Sequence, residues 1–303
     1  MPTSTLPFAI SGGTALVGVL GDPVRHSLSP AMHNAALREL GLDWVYLALP
    51  VSAADLAGVV RALEALDCRG LNVTLPHKRA VATLAAERCP LAERLGAVNT
   101  LVRRPEGGWL GTNTDVEGFI TPLLAGDWRG RRALVLGCGG SALAVLAGLE
   151  RLGFGSVQVA GRDPQRLESL AAGCRGWLSG LEAIAWTAAE PAALDNALAT
   201  ADLIVNTTPV GMASTGDPEA ARRCPLTPAQ LERLRPACTV YDLIYTPRPT
   251  ALLAAAAARG CRSLDGLEML VQQGAAALRL WSGRDPVPVD AMRRAALERL
   301  QAS

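Results

Sequence analysis

The chain reads as an α/β protein built from two domains, and three observations predict this. Short apolar runs of strand length alternate with amphipathic or alanine-rich stretches of helix length from Ala15 onward. That alternation yields largely parallel sheets covered on both faces. A polar, glycine-flanked break, Gly126-Asp-Trp-Arg-Gly-Arg131, then interrupts the pattern. Directly after the break come a strand, a Gly-x-Gly-x-x-Ala turn, a helix and a second strand, a βαβ unit of about thirty residues. At 303 residues, half of them hydrophobic, the chain can bury two cores.

The elements follow in order. Residues 1–14 read as a loose arm. Ala15 to Leu20 is a strand closed by Gly21-Asp22-Pro23. Ser29-Pro30 opens a helix, with serine as N-cap and proline in the first turn, that stops at Gly41. Trp44 to Val51 is a strand and Ala53 to Leu66 an amphipathic helix. Leu71 to Leu75 is the next strand, ended by Pro76, and a helix runs from Lys78 to about Arg88. Ala97 to Arg103 and Trp109 to Gly111 pair around the turn at 105–108. Asn113, Thr114 and Asp115 lie ahead of a helix from Val116 to Leu124. In such sheets ligands bind beyond the carboxyl ends of the strands. Asn72, Thr74, Lys78, Asn99, Thr100 and Asn113 to Asp115 therefore aim polar groups at one common edge.

Lys78 is the chain's only lysine; 28 of the 29 basic residues are arginine. Arginine carries charge but cannot release a proton, whereas a lysine ammonium can. A solitary lysine at this edge points to proton transfer.

After the break, Arg132 to Leu136 is a buried strand, 137–142 the glycine turn, Ser141 to Leu152 a helix and Val157 to Ala160 the second strand. Glycines at such a turn let the backbone approach a pyrophosphate seated on the helix N-terminus, the Rossmann-like mode of dinucleotide binding. Arg162 follows the second strand and Arg166 comes one helical turn later; arginines there suit the 2′-phosphate of NADP. Asp163 between them either caps the helix Pro164 to Ala172 or weakens that preference. Ala201 to Val205 and Thr239 to Leu243 are further strands, the first followed by Asn206-Thr-Thr-Pro-Val-Gly-Met212. Thr250 to Arg259 is helical, as is Asp265 to about Trp281, and Val289 to Leu300 is a last amphipathic helix. Met269 reads as packing. Gln273 reads equally as a satisfied buried amide or as a substrate contact. The proline-rich stretch 215–228 reads as the most mobile loop.

Composition excludes several classes. The net charge of +1 is unblocked and only 4% of residues are aromatic, which argues against a nucleic-acid surface. Seven scattered cysteines without a C-x-x-C pair predict reduced thiols in a cytoplasmic protein, not disulfides or a zinc site. His26, His33 and His77 lack metal-ligand spacing, and His26 and His77 suit positioning or solvent roles. Neither a signal peptide nor a membrane span is evident, so a soluble protein is expected.

Seven motifs in order resemble the shikimate dehydrogenase family over nearly the whole chain. They are Gly21-Asp-Pro-Val-Arg-His-Ser-Leu-Ser-Pro30, Asn72-Val-Thr-Leu-Pro-His-Lys78, Gly96-Ala-Val-Asn-Thr100, Asn113-Thr-Asp115, Gly137-Cys-Gly-Gly140, Tyr241-Asp-Leu-Ile-Tyr245 and Asp265-Gly-Leu-Glu-Met-Leu270. The resemblance implies a substrate domain, residues 15–125 joined by returning C-terminal helices, 267–303, and an NADP domain, 126–266. It implies reversible reduction of 3-dehydroshikimate to shikimate by NADPH, in a monomer or homodimer. Carried over by position, Lys78 and Asp115 are the catalytic pair, and Ser27, Ser29 and Tyr245 bind the substrate carboxylate. Asn72, Thr74, Asn99, Asp115 and Gln273 bind ring hydroxyls. Gly137, Gly139, Gly140, Ser141, Arg162 and Arg166 hold NADP, with Thr207, Met212, Leu243 and Gly266 toward the nicotinamide. Two departures fall on the cofactor side: Ala142-Leu143-Ala144 stands where the family has Ala-Arg-Ala, and Gly161-Arg162-Asp163 where it has Asn-Arg-Thr or Asn-Arg-Ser. They leave the strictness of NADP over NAD open. Mixed quinate and shikimate specificity and a non-catalytic dinucleotide-binding paralogue are the alternatives.

Overall fold

The computed structural model describes residues 10–187, 191–214 and 216–302. Most of the expected N-terminal arm and Thr215 of the expected mobile loop lie outside the described residues. The chain forms two compact units, Met1–Thr114 with Val271–Ser303, and Asp115–Leu270.

The first unit begins with β1 (Ala15–Gly21), α1 (Ser29–Glu39), β2 (Trp44–Pro50), α2 (Leu56–Ala65) and β3 (Gly70–Val73). It continues with α3 (Lys78–Leu84), β4 (Glu87–Arg88), α4 (Pro90–Leu95), β5 (Thr100–Arg103) and β6 (Trp109–Thr112). Its sheet has the order β2-β1-β3-β5-β6-β4. The β1–β2, β1–β3 and β4–β6 pairs are parallel; β5 runs antiparallel to both β3 and β6. This reversal matters for the site. Asn72, near the end of β3, pairs in register with Thr100 at the start of β5. The amino end of β5 thus reaches the edge where β3 and β6 finish. Leu20, Leu71, Val73, Val81, Leu101 and Trp109 form part of the core beneath it.

Two local expectations are corrected. Ser29 does not cap α1: Leu28 occupies the N-cap with helical angles and no side-chain cap bond forms. The helix from Lys78 also stops at Leu84, where Ala85 turns extended (φ −69°, ψ 133°). Glu87 and Arg88 then pair with Leu110 and Gly111, so sheet pairing overrides helix propensity.

The second unit holds α5 (Asp115–Ile120), β7 (Arg132–Leu136), α6 (Gly140–Arg151), β8 (Ser156–Gly161), α7 (Pro164–Cys174) and β9 (Leu181–Ala185). It goes on through α8 (Pro191–Thr200), β10 (Leu203–Asn206), α9 (Pro228–Leu231), β11 (Thr239–Asp242), α10 (Ala251–Ala258) and β12 (Arg262–Leu264). All strand pairs are parallel, in the order β12-β11-β10-β7-β8-β9. Read from β9, this is the 3-2-1-4-5-6 order of a doubly wound sheet, with its switch point between β7 and β10. One core face joins Phe119, Val135, Val145 and Val159; the other joins Leu136, Leu198, Ile204 and Val240. The division at Thr114/Asp115 precedes the sequence break at 126–131, because α5 packs on α6, where a Cβ on Gly148 would overlap the Phe119 ring.

The division returns to the first unit within α11 (Gly266–Ser282), which is followed by α12 (Val289–Gln301). Within the first unit Trp281 covers Gly70 so closely that a Cβ there would overlap its ring, and its Nε1 donates to the Leu101 carbonyl at 3.0 Å. The α12 helix packs on α1. Among the described residues no helix is long and apolar enough to cross a membrane.

Candidate active site

In the first unit the expected polar edge is a buried, continuous hydrogen-bond row. The Tyr46 hydroxyl donates to Asn72 Oδ1 at 2.8 Å, and Asn72 Nδ2 donates to Thr100 Oγ1 at 3.1 Å. The Thr100 hydroxyl donates to Asn99 Oδ1 at 3.0 Å, and Asn99 Nδ2 donates to Thr114 Oγ1 at 3.1 Å. Asn99 Oδ1 also accepts from the Thr114 backbone N–H at 2.7 Å. Asn72, Asn99, Thr100, Asn113 and Thr114 are all buried. So many amides and hydroxyls are tolerable in a core only because they satisfy one another. Ser27 and Ser29 meet in the turn before α1, where Ser27 Oγ accepts from the Ser29 backbone N–H at 3.2 Å. Gln273 is buried on α11 and Thr74 is half-buried just past β3.

Lys78 is half-buried and is the first residue of α3. A cation at a helix N-terminus lies at the unfavourable end of the dipole, so helix stability does not account for it. Its backbone carbonyl accepts from Val98 N–H at 2.9 Å, tying the helix start to the Gly96–Thr100 motif. The preceding His77 is buried with Nε2 2.7 Å from the Val51 carbonyl, a positioning role; His26 is exposed. Asp115 is buried and opens α5 in the second unit, where a carboxylate suits the dipole.

The glycine turn occupies the switch point of the second sheet. Gly137 has φ +105°, and a Cβ there would lie 2.8 Å from Thr207 Oγ1. Thr207 in turn donates to the Leu136 carbonyl at 2.9 Å. Fold geometry therefore demands glycine at 137 and brings Thr207 to the turn. Gly139 and Gly140 differ: neither has positive φ, and a Cβ on either would meet nothing within 4 Å. Gly139 is also the N-cap of α6, with no side chain to cap it. Open backbone at an uncapped helix start is what an approaching pyrophosphate needs, so these residues fit a dinucleotide.

At the end of β8, a Cβ on Gly161 would press on Cys138 Sγ at 3.0 Å. Asp163 caps α7, accepting from the Gln165 and Arg166 backbone N–H groups at 3.0 and 3.1 Å. Its other oxygen lies 3.3 Å from Arg166 Nε. Arg166 is therefore partly engaged by a carboxylate beside the residues expected at the 2′-phosphate. Burial, with Asp163 second, raises the Cys138 thiol.

The loops after β10 and β11 form the rest of the cofactor-side group. Gly266 lies so close to Leu243 that a Cβ would overlap its carbonyl. Met212 is half-exposed, and the next residue donates from Ala213 N–H to the Thr246 carbonyl at 3.0 Å. Tyr245, expected at the substrate carboxylate, belongs to this second unit and has its hydroxyl pKa raised by burial. Two residues not singled out for the site hold these loops. Asn206 Nδ2 donates to Asp242 Oδ1 at 2.9 Å and Asn206 Oδ1 accepts from Thr208 Oγ1 at 2.7 Å. Asp242 Oδ2 accepts from Thr250 Oγ1 at 2.7 Å. Burial raises the Asp242 pKa, partly offset by these donors. Strand-end Asn and Asp inside apolar runs were the available signal.

His33 is the other side chain that sequence reasoning left without a role. It is fully buried, stacked on Tyr46 at 4.1 Å and 1°, and neither ring nitrogen has a hydrogen-bond partner among the described residues. Burial lowers its pKa to about 3, so the ring is neutral.

A doubly wound sheet with a glycine turn at its switch point, and a second α/β unit carrying buried amides beside a lone lysine, define a dinucleotide-dependent dehydrogenase. Residues 19–101 match the shikimate dehydrogenase substrate binding domain, and residues 266–297 the shikimate 5′-dehydrogenase C-terminal domain. A shikimate dehydrogenase (NADP(+)) from Synechococcus sp. (strain JA-3-3Ab) is 50% identical over 96% of both chains. A shikimate dehydrogenase crystallised with NADP+ superposes with a TM-score of 0.86 at 32% identity, covering 98% of this chain and 99% of that one. The Thermus thermophilus shikimate 5-dehydrogenase in complex with NADP(H) and shikimate gives 0.81 at 38% identity, over 94% of this chain and 100% of that one. The chain belongs to the shikimate dehydrogenase family.

Proposed function

We propose that the protein interconverts 3-dehydroshikimate and shikimate using NADPH and NADP+, a step of chorismate and aromatic amino-acid biosynthesis. The observation that carries this reading is the buried row Asn72–Thr100–Asn99–Thr114, a set of groups suited to ring hydroxyls, on the unit that also carries the only lysine. The cofactor, when bound, supplies or accepts the hydride at the ring carbon. Lys78 stabilises the developing alkoxide as an ammonium and delivers a proton to that oxygen. Asp115 is the second member of the catalytic pair with Lys78. Ser27 and Ser29 bind the carboxylate with hydroxyl donors, helped by Tyr245, and add no positive charge. Asn72, Thr74, Asn99 and Gln273 read the ring hydroxyls. Gly139, Gly140 and Ser141 receive the pyrophosphate at the start of α6, and Arg162 and Arg166 the 2′-phosphate. Thr207, Met212, Leu243 and Gly266 border the nicotinamide. The seven cysteines are free, which supports a reducing, cytoplasmic setting.

The test is a spectrophotometric assay with shikimate and with quinate, each run with NADP and with NAD. The reading predicts the highest kcat/KM for shikimate with NADP. No shikimate-dependent reduction of either cofactor would overturn it, and a higher kcat/KM for quinate would reassign the substrate.

A further inference from the structure

The buried row in the first unit has a direction, and one backbone group sets it. The Thr114 N–H can only donate, and Asn99 Oδ1 accepts from it at 2.7 Å. That bond fixes which end of the Asn99 amide is the oxygen. Thr100 Oγ1 lies 3.0 Å from the same Oδ1. Two oxygens at that distance need a hydrogen between them, and only the Thr100 hydroxyl can supply it. Toward its other neighbours Thr100 Oγ1 is then an acceptor. Its two lone pairs suit Asn72 Nδ2 and the Thr114 hydroxyl, each at 3.1 Å. Asn72 must therefore present its NH2 to Thr100. Its Oδ1 is left to the opposite side, where the Tyr46 hydroxyl donates to it at 2.8 Å.

Turning the Asn72 amide over would set its oxygen against two acceptors. One is Thr100 Oγ1, and the other is the Asn99 backbone carbonyl, now 3.5 Å from Nδ2. In a buried site such a mismatch has no water to relieve it. Thr100 itself is fully buried, so it acts on a ligand through its neighbours. We propose that Thr100 is a positioning residue for the substrate: its hydroxyl carries the orientation fixed at Asn99 across to Asn72, which then meets the hydroxyls of a hydroxylated carboxylic acid with its amide already oriented. Asn99 holds its own orientation from the backbone, so the effect runs through Asn72. The inference rests on the substrate role proposed for Asn72.

Thr100→Val replaces the hydroxyl by a methyl in a side chain of nearly the same shape. Steady-state kinetics with shikimate and NADP should show KM for shikimate raised by roughly 5- to 30-fold, with kcat and KM for NADP held within about threefold. Thr100→Ser keeps the hydroxyl and should restore KM to within about threefold of wild type. In an Asn72→Ala background, adding Thr100→Val should raise KM no further. An unchanged KM in Thr100→Val would overturn the inference, as would Thr100→Ser impaired as far as Thr100→Val, which would assign the effect to methyl packing. A further rise in the Asn72→Ala background, or a parallel loss of kcat, both KM values and thermal midpoint, would also overturn it. If Thr100→Val does not fold, Thr100→Ala and Thr100→Ser, which differ only in the hydroxyl, carry the same test, and equal KM values in that pair would overturn the inference. Wild-type turnover is measured alongside. An inactive wild type overturns the functional reading and this inference with it; an active wild type with any of the adverse variant results overturns this inference alone.

Discussion

Lowering the pH from 7 to 5 should destabilise the first unit through His33, by an amount the structure sets. The folded ring is held to a pKa of about 3, against 6.5 for a free histidine, because burial disfavours its charged form. Above pH 6.5 both folded and unfolded chains carry a neutral ring. Below it the unfolded chain takes up the proton first, so stability falls with pH until about 3. Each pH unit in that window costs about 1.4 kcal/mol, so moving to pH 5 costs about 2 kcal/mol from this residue. The magnitude is large because neither ring nitrogen has a partner among the described residues to steady a proton. Urea unfolding followed by tryptophan fluorescence at pH 7 and pH 5, for wild type and His33→Phe, isolates the effect from other titrating groups. The wild type should lose about 2 kcal/mol more than the variant. Equal losses would show that His33 protonates normally in the folded state and would refute the burial argument.

Two further outcomes concern the cofactor. Gly139→Ala places a Cβ in space that is open within the protein, so stability should change by less than about 0.5 kcal/mol. NADP affinity, read by titration, should nonetheless fall by roughly 5- to 150-fold, the cost of overpacking against a ligand; unchanged affinity would remove the turn from the cofactor site. Asp163→Asn keeps a competent N-cap for α7 and removes the charge beside Arg166. The ratio of NADP to NAD affinity should rise by roughly three- to tenfold, consistent with about 1 kcal/mol for exposed charges a few ångströms apart. A fall in that ratio would show that the carboxylate instead organises Arg166 for phosphate.

What could be read from the sequence was governed by local chemistry. The turn at 137–142 was legible because strand, glycines and helix follow one another without interruption, and the structure adds why Gly137 differs from Gly139. Asp163 left two readings open from sequence, a cap for α7 or a weakened NADP preference; the structure shows the cap and also places its other oxygen against Arg166. The edge gathering Asn72, Asn99 and Thr114 was legible from strand ends, and so was the β5–β6 hairpin, although the antiparallel course of β5 against β3 was not. Local signals failed where distant partners decide. Nothing near Ser29 indicates that Leu28, with helical angles and no capping side chain, takes the N-cap in its place. The residues 85–88 carry helix formers, yet β6 draws Glu87 and Arg88 into the sheet. Cys89-Pro90 was a usable start signal for α4, with Cys89 accepting from Ala92 N–H, and it went unread. Edge strands β9 and β12 are largely exposed, so they lack the buried apolar run that marks the central strands.

The most direct measurement is the single-turnover rate of shikimate oxidation by Lys78→Arg, with shikimate and NADP saturating. Arginine keeps the positive charge but stays protonated and cannot take the proton the hydroxyl releases, so the rate should fall by ~10²–10⁴-fold, nearly as far as in Lys78→Ala, while shikimate still binds. A Lys78→Arg enzyme turning over within a few-fold of wild type would contradict proton transfer by Lys78.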